Sequence, residues 1–292
     1  MTWPRRLIRW FARRPAVAGY ALLAPGLSWL AIFFAIPVAL MLFYSIKERG
    51  LYGGVAPGFT WEHYRRFFEP LYLEVLGRTV AWAALCTAVC LAIGYPVAYL
   101  TARARRWRQV LLFLVILPFW TSFLVRMFAM IFLLRDSGFV NAGLMALGII
   151  DQPLQLLYTP FAVLLGLVYG FLPLMILPIY ASLEKLDDSL LEAAEVLGAG
   201  ASARFFKVIF PLSLPGVVAG CLLTFIPALG SFVPSDLLGG AKQVMIGNLI
   251  QNQFTTARNW PFGSAAAFVV MALVLAAVFG YLRRRDAREV LG

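Results

Sequence analysis

Six stretches of this chain run without an acidic or basic residue, and the polar positions collect between them. They cover residues 16–46, 79–102, 109–125 (resuming after Arg126 to 134), 152–183, 208–235 and 259–282. A helix needs about 20 apolar residues to cross a bilayer. Backbone polar groups in lipid must be satisfied within the segment, so apolar runs of this length predict helices rather than open strands. The pattern therefore predicts an all-α polytopic membrane protein with six transmembrane helices. The first, fourth and fifth runs exceed one bilayer thickness and need tilt or interfacial ends. Residues 137–150 are apolar but short, which predicts an interfacial helix rather than a seventh span.

Prolines punctuate the runs: Pro118 in the third, Pro173 and Pro178 in the fourth, Pro215, Pro227 and Pro234 in the fifth. Each removes a backbone donor and bends a helix. The fifth run has most of them, which makes it the expected lining of a pathway; a kink serving packing alone is the alternative.

Charge fixes an expected orientation. Arg5, Arg6, Arg9, Arg13 and Arg14 precede the first run; Arg103, Arg105, Arg106 and Arg108 follow the second. Lys185, Arg204 and Lys207 follow the fourth, and Arg283, Arg284, Arg285 and Arg288 follow the sixth. The opposite loops are poorer in Lys and Arg for their length. The positive-inside rule places both termini and the 187–207 loop in the cytoplasm. Residues 1–15 then form a cytoplasmic basic tail, residues 47–78 a long extracytoplasmic loop, and 1–292 a single transmembrane domain. The first run is far longer than a signal peptide's apolar core of roughly 7–15 residues, so it reads as a retained helix.

Composition adds exclusions. Of 292 residues, 62% are hydrophobic and 13% charged, and the net charge is +11. Soluble domains carry roughly 25% charged residues. The positive excess belongs to loops beside a membrane, so no nucleic-acid partner is expected. Cys86, Cys90 and Cys221 lie in apolar runs and read as packing residues. The lone His63 has no metal-ligand spacing with them, so no metal, cofactor or catalytic cluster is expected. The phosphate-binding pattern GxxxxGK[ST] is absent, so the chain does not bind ATP by that route.

The 187–207 loop is the polar segment with most local structure. Ser189 and Glu192 have capping-box spacing. Leu190, Ala193, Ala194 and Leu197 share one helical face. Gly198 offers a stop and Ser202 a cap for a second helix. The apolar face needs a cover, either a partner or this chain's own helix ends; physics alone leaves both open.

The pattern Glu192-Ala193-Ala194, Gly198, Val208 and Phe210-Pro211 resembles the EAA loop of binding-protein-dependent ABC transporter permeases. The family usually has Ile and Leu where this chain has Val208 and Phe210, both conservative changes. Leu117-Pro118-Phe119-Trp120, Ser182-Leu183-Glu184-Lys185-Leu186-Asp187, Ser235-Asp236-Leu237-Leu238-Gly239-Gly240 and Trp260-Pro261-Phe262-Gly263 are similar to the spermidine/putrescine permeases. The resemblance implies the type I importer architecture in a bacterial inner membrane and a non-catalytic subunit. It also implies a second, different permease, an ATPase dimer and an extracytoplasmic solute-binding protein as partners. It assigns Leu190, Glu192, Ala193, Ala194, Leu197 and Gly198 to coupling with the ATPase.

A polyamine pathway would need carboxylates, carbonyls or aromatic faces. Asp236 is the acidic candidate, with an ion pair to Lys242 as its ordinary alternative. Trp120, Tyr169 and Phe232 are aromatic candidates, each also explicable as core packing. Arg126 is expected to snorkel outward or to pair with an acid such as Asp136. Asn248 and Asn252 are expected in an outer loop. Permeases of the same architecture carry iron, thiamine, sulfate or phosphonates, which leaves those solutes open. An ion-driven secondary transporter is disfavoured because no inverted repeat or buried acid relay is present.

Overall fold

In the computed structural model, residues 15–104, 106–240 and 243–291 are described, and 15–21, 281–282 and 284–291 by their backbone alone. Most of the basic tail, together with Arg105 and Lys242, lies outside the described residues. The described residues are almost wholly helical, with one two-stranded hairpin among them. Among the described residues five helices are long and apolar enough to cross a membrane, or six if one bent pair is a single span. The chain divides into two compact units, residues 1–67 with 253–292 and residues 68–252.

The first unit opens with α1 (Pro15–Leu30), which passes through a π turn (Ala31–Ala35) into α2 (Ile36–Ser45). Trp29, Phe33 and Phe34 point outward, as lipid-facing side chains do. The segment that follows is folded. Strands β1 (Lys47–Arg49) and β2 (Val55–Phe59) pair antiparallel, and α3 (Glu62–Phe67) follows. His63 is buried, its Nε2 3.0 Å from the Lys47 carbonyl, and packs against Phe262. It is thus a structural residue. The last helix of the chain, α14 (Trp260–Leu291), packs on α2 and α3.

The second unit holds α4 (Pro70–Arg103), α5 (Arg108–Ile116), a 3-10 turn (Leu117–Trp120), α6 (Phe123–Leu134), α7 (Phe139–Ala146) and α8 (Pro160–Glu184). Next come α9 (Asp188–Val196), α10 (Ala201–Arg204), a π turn (Phe205–Ile209), α11 (Phe210–Gly230), α12 (Val233–Gly239) and α13 (Ile246–Phe254). Helices α4, α8 and α11 pack on one another most extensively. Small residues make this possible, as in membrane helix pairs generally. A Cβ on Gly216 would lie 2.5 Å from the Pro178 carbonyl oxygen, and one on Gly220 2.9 Å from that of Met175.

Of the prolines expected to bend the spans, Pro118 stands at a sharp break, whereas four others lie inside continuous helices. Helix α8 runs unbroken through Pro173 and Pro178, and α11 through Pro215 and Pro227. The sharp break is in the third run, where the segments Arg108–Trp120 and Phe123–Ala146 meet at 93°. Pro118 has no N–H to continue the ladder, and the helix tightens into the 3-10 turn. Leu117 keeps helical angles, and the chain turns extended at Thr121 and Ser122 (ψ 146° and 138°), where the Thr121 hydroxyl donates back to the Pro118 carbonyl at 2.8 Å. Pro234 starts a separate helix rather than kinking the fifth span: it lies in the first turn of α12, where a missing N–H costs little.

Segment 139–146 is a helix, fixed by buried Asn141. Its Nδ2 donates to the Leu154 carbonyl at 2.9 Å, and its Oδ1 accepts from the Leu154 N–H at 2.9 Å.

Candidate functional site

Two regions of the second unit hold the candidate residues. The first is the polar end where α4, α9 and α10 meet. Helix α9 is capped by Asp187, whose Oδ1 accepts from the Ser189 N–H at 2.9 Å. The cap is thus Asp187 and not Ser189: a carboxylate serves the orphan amides and the helix dipole together. Ser202 does not cap the next helix either; Gly200 occupies that place, without a side-chain hydrogen bond.

Gly198 ends α9 as expected, at φ +79°. Its N–H donates to the Glu195 carbonyl and that of Ala199 to the Ala194 carbonyl, each at 2.9 Å. These are the paired bonds of a Schellman ending, which requires a left-handed residue at this point.

Two charge pairs set the face that α9 turns inward, and a third joins α5 to α8 beside it. Arg103 Nη1 lies 2.7 Å from Asp188 Oδ1, Arg204 Nη1 2.7 Å from Glu195 Oε2, and Arg108 Nη1 2.9 Å from Glu184 Oε1. Each pair is partly exposed, so each contributes at most about 1 kcal/mol. Their effect is orientation. Leu191, Glu192 and Glu195 line a cavity of about 350 Å³ with Tyr99, Arg103 and Phe205. The opposite face carries Leu190, 47% exposed, and Leu197, 86% exposed, with exposed Ala193 between them and half-buried Ala194 beside them. The chain's own helix ends therefore leave this apolar face largely uncovered.

From α10 the chain winds through the π turn into α11 without a break. Rings of Tyr95, Tyr99, Phe205 and Phe210 pack there, with Phe205 5.6 Å from Tyr95 and 6.3 Å from Tyr99. The α9–α10 segment is thereby tied to both α4 and α11. Nothing in the periodicity pointed to the π turn; the adjacent Phe205 and Phe206 were the available sign.

The second region surrounds the bend. Arg126 is only 7% exposed and does not snorkel. It has no ion pair among the described residues, and Asp136 is exposed. Three rings face it instead, with centroids 5.4 Å (Phe123), 5.7 Å (Tyr169) and 5.8 Å (Phe119) from Cζ. Among the described residues its Nε and Nη1 have no hydrogen-bond partner. Cation–π contacts return about 0.5–2 kcal/mol each, and a buried unpaired charge costs several. Tyr169 also lines an apolar cavity of about 300 Å³ with Val97, Thr101, Leu111, Pro118 and Pro173. Trp120 is 72% exposed and lies edge-on to Phe113, outside the three rings.

Phe232 and Asp236 lie apart in sequence from these and meet at Asn248. That residue is buried, not a solvated loop side chain. Its Nδ2 donates to the Phe232 carbonyl at 3.1 Å and to the Asp236 carboxylate, and its Oδ1 accepts from the Met245 N–H at 3.0 Å. Asp236 is exposed, with Asn248 beneath it. Asn252 is exposed, and both asparagines lie on helix α13.

The family model described as binding-protein-dependent transport system inner membrane component matches residues 91–289. The chain belongs to this family. It is a multi-pass protein of the inner membrane, with the all-α architecture of an ABC importer permease. The spermidine/putrescine transport system permease protein PotB of Haemophilus influenzae is 45% identical over 88% of this chain and 90% of its own length. PotB of Escherichia coli is 44% identical over 85% of this chain and 91% of its own length. A crystal structure of a bacterial ABC transporter for the acidic polysaccharide alginate has a chain of the same fold. Its TM-score is 0.66 at 19% identity, over 96% of this chain and 99% of that one.

Proposed function

We propose that this chain is the permease subunit of an ATP-driven importer of polyamines, with spermidine and putrescine as the substrate class. The observation that carries this reading is near full-length identity of 44–45% to spermidine/putrescine permeases. The subunit is non-catalytic, and ATP hydrolysis belongs to a partner ATPase dimer. A second, different permease completes the pathway, and an extracytoplasmic binding protein delivers solute. Both termini and α9 face the cytoplasm, in keeping with the basic loops.

Helix α9 is the contact with the ATPase. Leu190, Ala193, Ala194 and Leu197 supply the apolar surface, Glu192 an exposed charge on the side toward the cavity, and Gly198 the turn that hands motion to α10 and α11. When ATP closes the ATPase dimer, the coupling helices approach and the spans open outward. The exposed apolar face and the unbroken path from α10 through the π turn into α11 support this route. Asp236 and Phe232, at the start of α12, and Trp120 and Tyr169, near the bend, are the pathway residues.

Reconstitution with the ATPase, the second permease and the binding protein tests the reading. ATP-dependent uptake of labelled spermidine or putrescine is the expected result. Uptake of iron, thiamine or a phosphonate instead would overturn the substrate. Gradient-driven uptake by the lone chain would overturn the mechanism.

A further inference from the structure

We propose that Phe119, Phe123 and Tyr169 form a subsite for one ammonium group of the transported polyamine, which Arg126 occupies in this conformation. The inference rests on the polyamine reading above.

The chemistry of the ring is that of a cation site. Three aromatic faces stand within 6 Å of one buried cationic carbon. Aromatic groups arranged this way bind alkylammonium ions through the negative faces of the rings. Buried guanidinium groups ordinarily find acceptors for most of their N–H groups. Among the described residues Arg126 leaves both Nε and Nη1 without one, whereas Arg78 and Arg108 leave only Nε and make hydrogen bonds through their other nitrogens. What it fills is a site that recognises charge and needs no hydrogen-bond acceptor. Its own charge is permanent, so the site cannot be vacated by loss of a proton.

The surroundings favour a polyamine over a compact cation. Tyr169 belongs both to the ring and to the 300 Å³ cavity lined by Val97, Leu111, Pro118 and Pro173. An ammonium on the ring would lay its methylene spacer along that apolar lining. Phe119 and Tyr169 are each about two-fifths exposed, which leaves the ring open on one side. The chain also makes room for the third ring: a Cβ on Gly170 would lie 2.6 Å from Phe123 Cε2. Exchange of the guanidinium for one ammonium group keeps the charge on the ring itself constant, and the other ammonium groups of the polyamine lie beyond it. Arg126 thus holds the ring closed to other cations until substrate arrives and displaces it.

The test uses the assembled permease–ATPase complex in nanodiscs, without the binding protein, and labelled spermidine. Arg126→Met should raise spermidine binding about tenfold, because the competing cation is gone. Phe123→Leu and Tyr169→Leu should lower it by about the same factor, and Tyr169→Phe should restore most of it. Gly170→Ala should act as Phe123→Leu does. If Arg126→Met fails to assemble, the ring variants and Gly170→Ala decide alone. Unchanged binding in Phe123→Leu and Tyr169→Leu overturns the inference. So does rescue of assembly by Arg126→Lys together with neutral ring variants, which would assign Arg126 to a carboxylate of a partner subunit. Uptake by the wild-type full importer separates the two ideas: no polyamine uptake removes the functional reading itself, whereas normal uptake with indifferent ring variants removes only the subsite.

Discussion

The Tyr95 hydroxyl lies 2.8 Å from Ser213 Oγ, joining α4 to α11 beside the π turn. Both residues are buried, and the Ser213 hydroxyl can also donate to the Phe210 carbonyl at 2.9 Å. The two ends of this bond are therefore unequal. Tyr95→Phe leaves Ser213 with a partner and should cost about 0.5–1.5 kcal/mol. Ser213→Ala leaves a buried phenol without one and should cost about 1–3 kcal/mol. Thermal unfolding of the purified complex should rank Ser213→Ala below Tyr95→Phe.

At Gly198 the demand is on backbone angle alone. Its φ is +79°, and a Cβ there would meet nothing within 4 Å. Gly198→Asn, which tolerates the left-handed region, should couple ATP hydrolysis to uptake nearly as well as the wild type. Gly198→Val should lose roughly 1–2 kcal/mol at the turn and uncouple the two. The ratio of ATPase rate to solute uptake reads the difference.

The Glu195–Arg204 pair should prove weak as an energy and useful as an orientation. A double-mutant cycle over Glu195→Gln and Arg204→Gln should give under about 1 kcal/mol, vanishing near 1 M salt. A larger, salt-independent coupling would mean that the pair is desolvated in the assembled protein.

Asn248 presents the opposite case. Its amide serves Phe232, Asp236 and Met245 from a buried position. Asn248→Ala strands the Met245 N–H and should cost about 1–3 kcal/mol for each unsatisfied group. Asn248→Asp would place a carboxylate against that of Asp236 and should be worse at neutral pH than at pH 4. Assembly yield at the two pH values measures this.

The contrast between the third and fifth runs marks how far one-dimensional reading extends. That the uncharged runs form long helices was legible, because backbone polar groups in an apolar run of about 20 residues have to be satisfied within the segment. Legible too were the stop at Gly198, from backbone geometry, and the apolar face of α9, from its spacing. Pro215 and Pro227 misled, because a missing N–H breaks a helix only where neighbours fail to hold it. Close approach of Gly216 and Gly220 to α8 keeps α11 continuous through both. At Pro118 the helix gives way to a 3-10 turn, and the chain bends just beyond it.

Short-range rules determined the elements and the family resemblance; tertiary packing decided which charges are buried and what faces them. Arg126 shows the reason. Its sequence neighbours suggested an ordinary basic residue seeking water or an acid. Only the approach of α8 brings Tyr169 and the space left by Gly170 against Phe119 and Phe123. The energy of a charge depends on everything within a few ångströms of it, and those neighbours come from distant parts of the chain.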